Sequence, residues 1–174
     1  MVELKKITHP ECAEFATLMQ LYEEAFPLEE RRNVTELAQL IREEERMSFD
    51  AIYHDGVLAG LFVHWDFGDF HYLEHLAVYQ EMRNHKIGKQ VLDLSAKLLS
   101  GLRILEVEPA ESEMPIRRIH YYERNGYAIY DKKYHQPSYH KDGKGIDLWI
   151  MCNETPENLQ DKLTRLKTAV YRGA

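Results

Sequence analysis

Apolar positions along the chain change their period several times, and each change marks an element. "VELKKIT" (residues 2–8) alternates apolar and polar residues, which predicts a first strand, and His9-Pro10 ends it. In "ECAEFATLMQLYEEAF" the residues Phe15, Leu18, Met19, Tyr22, Ala25 and Phe26 recur at helical spacing until Pro27. Asn33 is placed to cap a second helix whose buried stripe is Val34, Leu37, Leu40 and Ile41. Three strand-like segments follow, "SFDAIYH", "VLAGLFVHWDF" and "FHYLEHLAVY", separated by the turn signals Asp55-Gly56 and Gly68-Asp69. They predict an antiparallel meander.

A helix with Ile87, Val91, Leu94 and Leu98 along one face comes next, and Gly101 ends it. "RILEVEP" is a short strand after that helix. A strand–helix–strand crossover is therefore expected, with its two strands, 70–79 and 103–108, parallel. "IRRIHYYERNG" reads as a helix closed by Asn125-Gly126. "YAIYDKKY" and "GIDLWIMC" form a last antiparallel pair joined by a polar loop, and Leu159, Leu163, Leu166 and Val170 mark a closing helix. The order β-α-α-β-β-β-α-β-α-β-β-α predicts a mixed α/β fold, a sheet with helices on its faces.

Composition narrows the class. No repeat, low-complexity tract or long linker divides the 174 residues, so a single domain spanning 1–174 is expected. No stretch has the length of a membrane span, and "MVELKKITHP" lacks the apolar run of a signal peptide. Cys12 and Cys152 form no ligand pattern, so a reduced, cytoplasmic protein is the expectation. A net charge of −7 disfavours a non-specific grip on nucleic acid and suits a cationic partner such as an amine.

The richest stretch for chemistry is "AVYQEMRNHKIGKQVL" (77–92), where a strand passes through a basic turn into a helix. A helix N-terminus presents unpaired N–H groups and a positive dipole end, so it can bind phosphate oxygens. Arg83, Lys86 and Lys89 add charge there. A turn that merely joins strand to helix is the other reading.

"HLAVYQEMRNHKIGKQVL" and "LEVEP…RIHYYERNGY" occur in the order and separation that resemble the GNAT superfamily of acyl-CoA N-acetyltransferases. The family's phosphate motif, Arg/Gln-x-x-Gly-x-Gly/Ala, reads here as Arg83-Asn84-His85-Lys86-Ile87-Gly88. Its "FYxRxGF" reads as Tyr121 to Tyr127, and "EEAFPLEER" (23–31) is similar to its first inter-helix segment. The chain departs from the family at Lys86, where the first glycine of the motif is expected. Lysine is expected to adopt a helical-turn conformation there, with its ammonium meeting a phosphate. Pro115 and Arg118 stand where the family often has the asparagine and alanine of "Asn-x-x-Ala-x-x-Leu-Tyr", so that asparagine's contact with the cofactor is not carried over.

The resemblance implies a mostly antiparallel sheet, a central splayed parallel strand pair and helices on both faces. It implies acetyl-CoA as acyl donor and no metal. The pantetheine arm's amides would pair with Leu76, Ala77 and Val78, the pyrophosphate with Arg83, Asn84, His85, Lys86, Ile87, Gly88 and Lys89, and the Val78 N–H would polarise the thioester carbonyl. Tyr122 aligns with the family's general acid, its alternative being an aromatic core position. Glu74 is the candidate base, because strand alternation puts Glu74, Leu76 and Val78 on one face. A strand glutamate paired with a nearby Arg or His is the competing reading.

His71 and His75 share a face by the same parity, with His64 on the adjacent strand. Metal binding needs three or four converging ligands, so hydrogen-bonded histidines are expected, one of them an alternative base. Phe26, Glu30 and Tyr139 are acceptor contacts or scaffold residues. Two functions follow: an N-acetyltransferase acting on a primary amine, small-molecule or peptide, by direct attack in a ternary complex, or a catalytically inactive acyl-CoA-binding or regulatory domain. The family leaves room for a homodimer.

Overall fold

The structure is a computed structural model that describes residues 1–171. Seven strands and five helices follow one another as the periodicities predict: β1 (Val2–Lys6), α1 (Ala13–Ala25), α2 (Val34–Glu43), β2 (Met47–His54), β3 (Val57–Asp66), β4 (Phe70–Val78), α3 (Ile87–Leu98), β5 (Leu102–Val107), α4 (Glu113–Arg124), β6 (Ala128–Gln136), β7 (Ile146–Cys152) and α5 (Leu159–Val170). Local chemistry sets the boundaries. The Asn33 side chain accepts from Glu36 N at 2.8 Å and so satisfies one open N–H of α2. Asp55 and Gly56 both take positive φ, the turn a two-residue hairpin demands. Gly126, at φ +90°, closes α4. Among the described residues no helix is long and apolar enough to cross a membrane.

All seven strands form one sheet in the order β1-β2-β3-β4-β5-β7-β6, antiparallel throughout except for β4 and β5. Two apolar layers cover it. On one face α1, α2 and α5 pack Leu18, Tyr22, Leu37 and Leu166 against Phe49, Trp65, Phe70 and Tyr72. On the other, α3 and α4 pack Ile87, Val91 and Ile119 against Phe62, Leu73 and Leu105. Helices lie on both faces, as expected. The expected stripes run slightly too long, since Val34 and Leu98, at the ends of their helices, stay exposed.

The feature that positions the site is a failure of pairing. β4 and β5 are in register only from Phe70↔Leu102 to Leu73↔Leu105. β4 continues to Val78, and β5 continues to Val107 along β7 through Glu106↔Ile150 and Val107↔Trp149. The two parallel strands therefore splay. At the point of divergence β4 carries a β-bulge: Val63 faces His75 and His64 faces Leu73, so Glu74 is the extra residue.

Candidate active site

The bulge reorders the faces of β4. Phe70 and Tyr72 belong to the layer of α1, α2 and α5, and so does Ala77, whereas Leu73, Leu76 and Val78 belong to the α3–α4 layer. Glu74 and His75 thus lie on the same side, and the expected shared face of Glu74, Leu76 and Val78 is overturned. Alternation is a rule for regular strands, and one inserted residue inverts everything after it.

The backbone beyond the bulge lines the gap. Gly60 faces Val78, and Tyr79 N donates to Ala59 O at 2.9 Å, which makes Gly60–Val78 a non-hydrogen-bonded pair of β3 and β4. The N–H and C=O of Val78, and of Leu76 two residues before, therefore point away from β3 toward the side that β5 leaves. Ala77 instead spends its peptide groups on β3. Arg83 Nε lies 3.4 Å from Val78 O, to which it donates.

A tight 3-10 turn over Gln80–His85 leads into α3, and Lys86 joins the two at φ +55°, ψ +32°. This is the left-handed region, so Lys86 has the conformation that a glycine would adopt readily rather than the expected helical turn. Such a conformation costs a non-glycine residue roughly 1–2 kcal/mol. Because no side chain caps α3, the N–H groups of Ile87, Gly88 and Lys89 remain open by helix geometry. Gly88 lies against Tyr121: a Cβ there would meet its hydroxyl oxygen at 2.9 Å. Asn84, His85, Lys86 and Lys89 are exposed. The His85 ring lies tilted against that of His54, centroids 5.2 Å apart, and Lys89 pairs with Asp93 at 2.7 Å. A groove of about 500 Å³ runs past this helix mouth, lined by Val78, Arg83, Ile87, Gly88, Met114, Arg117, Arg118 and Tyr121.

A cavity of about 320 Å³ continues from that groove, sharing Val78, Arg83 and Arg118 with it. Tyr122 of α4 lines it from one face of the sheet, and Phe26, Glu30 and Tyr139 line it from the other. The opening between β4 and β5 thus passes through the sheet. Burial raises the Tyr122 phenol above its usual range, so it stays protonated, and among the described residues it forms no hydrogen bond with a protein group.

Glu106 of β5 faces this opening and has no counterpart among the expected site residues. Its Oε1 accepts from Tyr72 Oη, from Tyr171 Oη at 2.7 Å and from Gln136 Nε2 at 3.0 Å, while its Oε2 is buried with no partner. Burial raises its carboxyl above the ordinary range against the pull of the surrounding donors, the Tyr134 hydroxyl first, then Tyr72, Tyr171 and Gln136. Gln136, only 5% exposed, also leaves its Oε1 without a partner. Signals for Glu106 and Arg118 existed in the chain. A lone acidic residue interrupts the apolar strand "RILEV", and Arg118 lies one helical turn before Tyr122.

Glu74 is fully spent. Its side chain is 0% exposed. Its Oε1 accepts from Trp65 Nε1 at 2.7 Å, and its Oε2 accepts from Arg32 Nη1 and Tyr139 Oη, both at 2.6 Å. Burial opposes its charge most strongly, but Arg32, His75 and the hydrogen bonds from Tyr139 and Trp65 together outweigh burial and hold the carboxyl below the usual value. Arg32 is itself 4% exposed and donates also to Val170 O at 3.1 Å. His75 packs between Phe26 and Tyr139, with ring centroids at 4.3 and 6.0 Å, and its Nε2 meets Glu30 O at 2.8 Å. His64 pairs with Asp50 at 2.8 Å, and His71 has Asp66 at 3.8 Å, so the three histidines do not converge.

Residues 15–127, well over half of the chain, match the acetyltransferase (GNAT) family. A GNAT-family acetyltransferase structure from Bacteroides thetaiotaomicron superposes with a TM-score of 0.91 at 29% identity, covering 99% of both chains. A spermidine N-acetyltransferase variant from Vibrio cholerae has a TM-score of 0.61 at 13% identity, over 87% of this chain and 92% of that one. A Bacillus subtilis acetyltransferase in complex with CoA has a TM-score of 0.57 at 16% identity, over 89% and 98%. These last two share the fold alone. No curated protein matches the sequence.

Proposed function

The chain belongs to the GNAT acetyltransferase family, and on that premise we propose that it moves an acetyl group from acetyl-CoA to a primary amine by direct attack, both reactants being bound together. The observation that carries this reading is the opening between β4 and β5, reached from both faces of the sheet. Acetyl-CoA supplies the activated acetyl thioester. The residues present fit such a molecule. Leu76 and Val78 turn peptide groups toward the gap, Arg83, Arg117 and Arg118 bring positive charge to the groove, and α3 offers open N–H groups. Asn84, His85, Lys86 and Lys89 belong to the exposed rim of this phosphate end.

Within the opening the Val78 N–H is positioned to donate to an oxygen that gains charge in the transition state. Tyr122, on the α3–α4 face, holds a proton at Oη for the departing sulfur. An amine enters from the other face, past Phe26, Glu30 and Tyr139, and must shed a proton. Glu106 Oε2 is the carboxylate oxygen on that side without a hydrogen bond. We therefore assign the base to Glu106, and to Glu74 the holding of Arg32, Trp65 and Tyr139 in place.

Release of free CoA, followed against a panel of primary amines, tests the reading. The expected result is amine-dependent release with sequential kinetics, since no residue has to carry the acetyl group. Acetyl-CoA binding with no release for any amine would instead make the protein an acyl-CoA-binding or regulatory domain.

A further inference from the structure

The acceptor half of the cavity has a lopsided inventory of polar groups. Glu30, Glu106 and Glu108 line it, against two guanidiniums of the cavity, Arg83 and Arg118, which both also line the groove beside α3, Arg118 sitting 3.7 Å from Glu108. The fourth lining carboxylate, Glu74, is already matched by Arg32. Deeper in, two buried oxygens, Glu106 Oε2 and Gln136 Oε1, make no hydrogen bond, and the Tyr134 hydroxyl, itself unpartnered, is a neighbouring donor for the Glu106 carboxyl alone. Their side chains are joined, Gln136 Nε2 donating to Glu106 Oε1 at 3.0 Å, so the two open oxygens belong to one rigid unit. Buried acceptors without donors are costly, and a ligand rich in N–H groups relieves the cost.

We infer that the acceptor is a small linear amine with a second ammonium group, its reacting end at Glu106 and Gln136 and its far end between Glu30 and Glu108. The inference rests on the transferase reading above and narrows its substrate. Glu106 in β5 and Glu108, the residue after its end, are two residues apart and both line the cavity, a separation of roughly 7 Å at strand rise that a short aliphatic chain spans. Phe26 and Tyr139 supply apolar walls for the methylenes. Burial, and next the charge of Glu108, raise the Glu30 carboxyl although Arg118 pulls the other way; a further cation between Glu30 and Glu108 relieves the repulsion that remains. An amine bearing a carboxylate meets the opposite situation, because its negative end falls among these acids.

The test compares kcat/KM for 1,4-diaminobutane, 1-aminobutane and 4-aminobutanoate at saturating acetyl-CoA. The diamine is expected to exceed the monoamine by roughly tenfold, the worth of one added charge-assisted hydrogen bond, and 4-aminobutanoate to be the poorest. In the double variant E30Q/E108Q, at two partly exposed positions, the diamine-to-monoamine ratio is expected to fall toward one. Amine turnover with no diamine preference, a preference for 4-aminobutanoate, or an unchanged ratio in the double variant overturns this inference alone. Failure of every amine while acetyl-CoA still binds overturns the transferase reading, and this inference with it.

Discussion

Replacing Glu74 with Gln separates a structural role from a catalytic one, because the two predict losses in different quantities. The carboxylate holds Arg32, Trp65 and Tyr139 at 2.6–2.7 Å, with the side chains of Arg32 and Glu74 3% and 0% exposed. Gln keeps one oxygen for three donors and leaves a guanidinium buried without its counter-charge. Removing one partner of such a pair costs about 3–5 kcal/mol. For a chain of this size that is a fall in Tm of about 6–20 °C. Arg32 precedes α2 and Tyr139 lies in the β6–β7 loop, so the acceptor wall loosens and KM for the amine rises. Far below the new Tm, kcat falls less than about tenfold, whereas loss of a general base costs about 10²–10⁴-fold.

The pH dependence supplies a second check. Against burial, Arg32 together with His75, Tyr139 and Trp65 holds the Glu74 carboxyl below its ordinary 4.5. The stabilisation is therefore fully present above that value and is lost as pH falls through the lower folded-state value. The Tm gap between wild type and E74Q is expected to stay constant down to about that ordinary value and to close below it. Thermal melts across pH and steady-state kinetics at 25 °C measure both quantities. A variant with unchanged Tm and a hundredfold lower kcat would refute the reasoning and restore Glu74 as the base.

Tyr122→Phe is expected to lower kcat about a hundredfold with little change in acetyl-CoA affinity by calorimetry; equal turnover would remove Tyr122 from the mechanism. Arg83→Ala is expected to weaken acetyl-CoA binding roughly tenfold, and an unchanged Kd would mean that the turn does not meet the phosphates. Lys86→Gly relieves the left-handed backbone at about 1–2 kcal/mol and adds back up to about 1 kcal/mol of unfolded-chain entropy, so Tm should rise by a few degrees or hold; a simultaneous loss of affinity would show that the ammonium touches a phosphate. In the pH profile of kcat/KM the acid limb should lie above the ordinary carboxylate value, because Glu106 must be deprotonated to act and its carboxyl is raised. Glu106→Gln should abolish that limb.

Elements were legible wherever one face is buried, since burial imposes the period. The stripe of Phe15, Leu18, Met19 and Tyr22 and the cap at Asn33 read directly into α1 and α2. The basic turn at 83–88 was legible because charge and a strand-to-helix junction coincide there. The pairing of Glu74 with an arginine was one of its two readings, but its face was misread because nothing local distinguishes a bulge: "YLEHLAV" alternates well enough to pass for a regular strand, and only the partner register reveals the extra residue. Lys86 was misread for a related reason. Its left-handed backbone follows from the need to turn a 3-10 segment into α3 within one residue, a demand of tertiary geometry that overrides lysine's own preference.

Bulge, buried ion pair and opening are physically one device. β5 follows β7 through Val107↔Trp149, and β4 follows β3 through Gly60↔Val78, so the two central strands are drawn apart by their outer partners. The bulge at Glu74 adds twist to β4 immediately after the last parallel pair, Leu73↔Leu105. That extra residue has to point somewhere, and it points into the α1–α2–α5 layer, where Arg32, Trp65 and Tyr139 satisfy it. The carboxylate that the sequence offered for proton transfer thus has both oxygens engaged within that layer. It also leaves Glu106, across the gap, as the carboxylate with an oxygen still open.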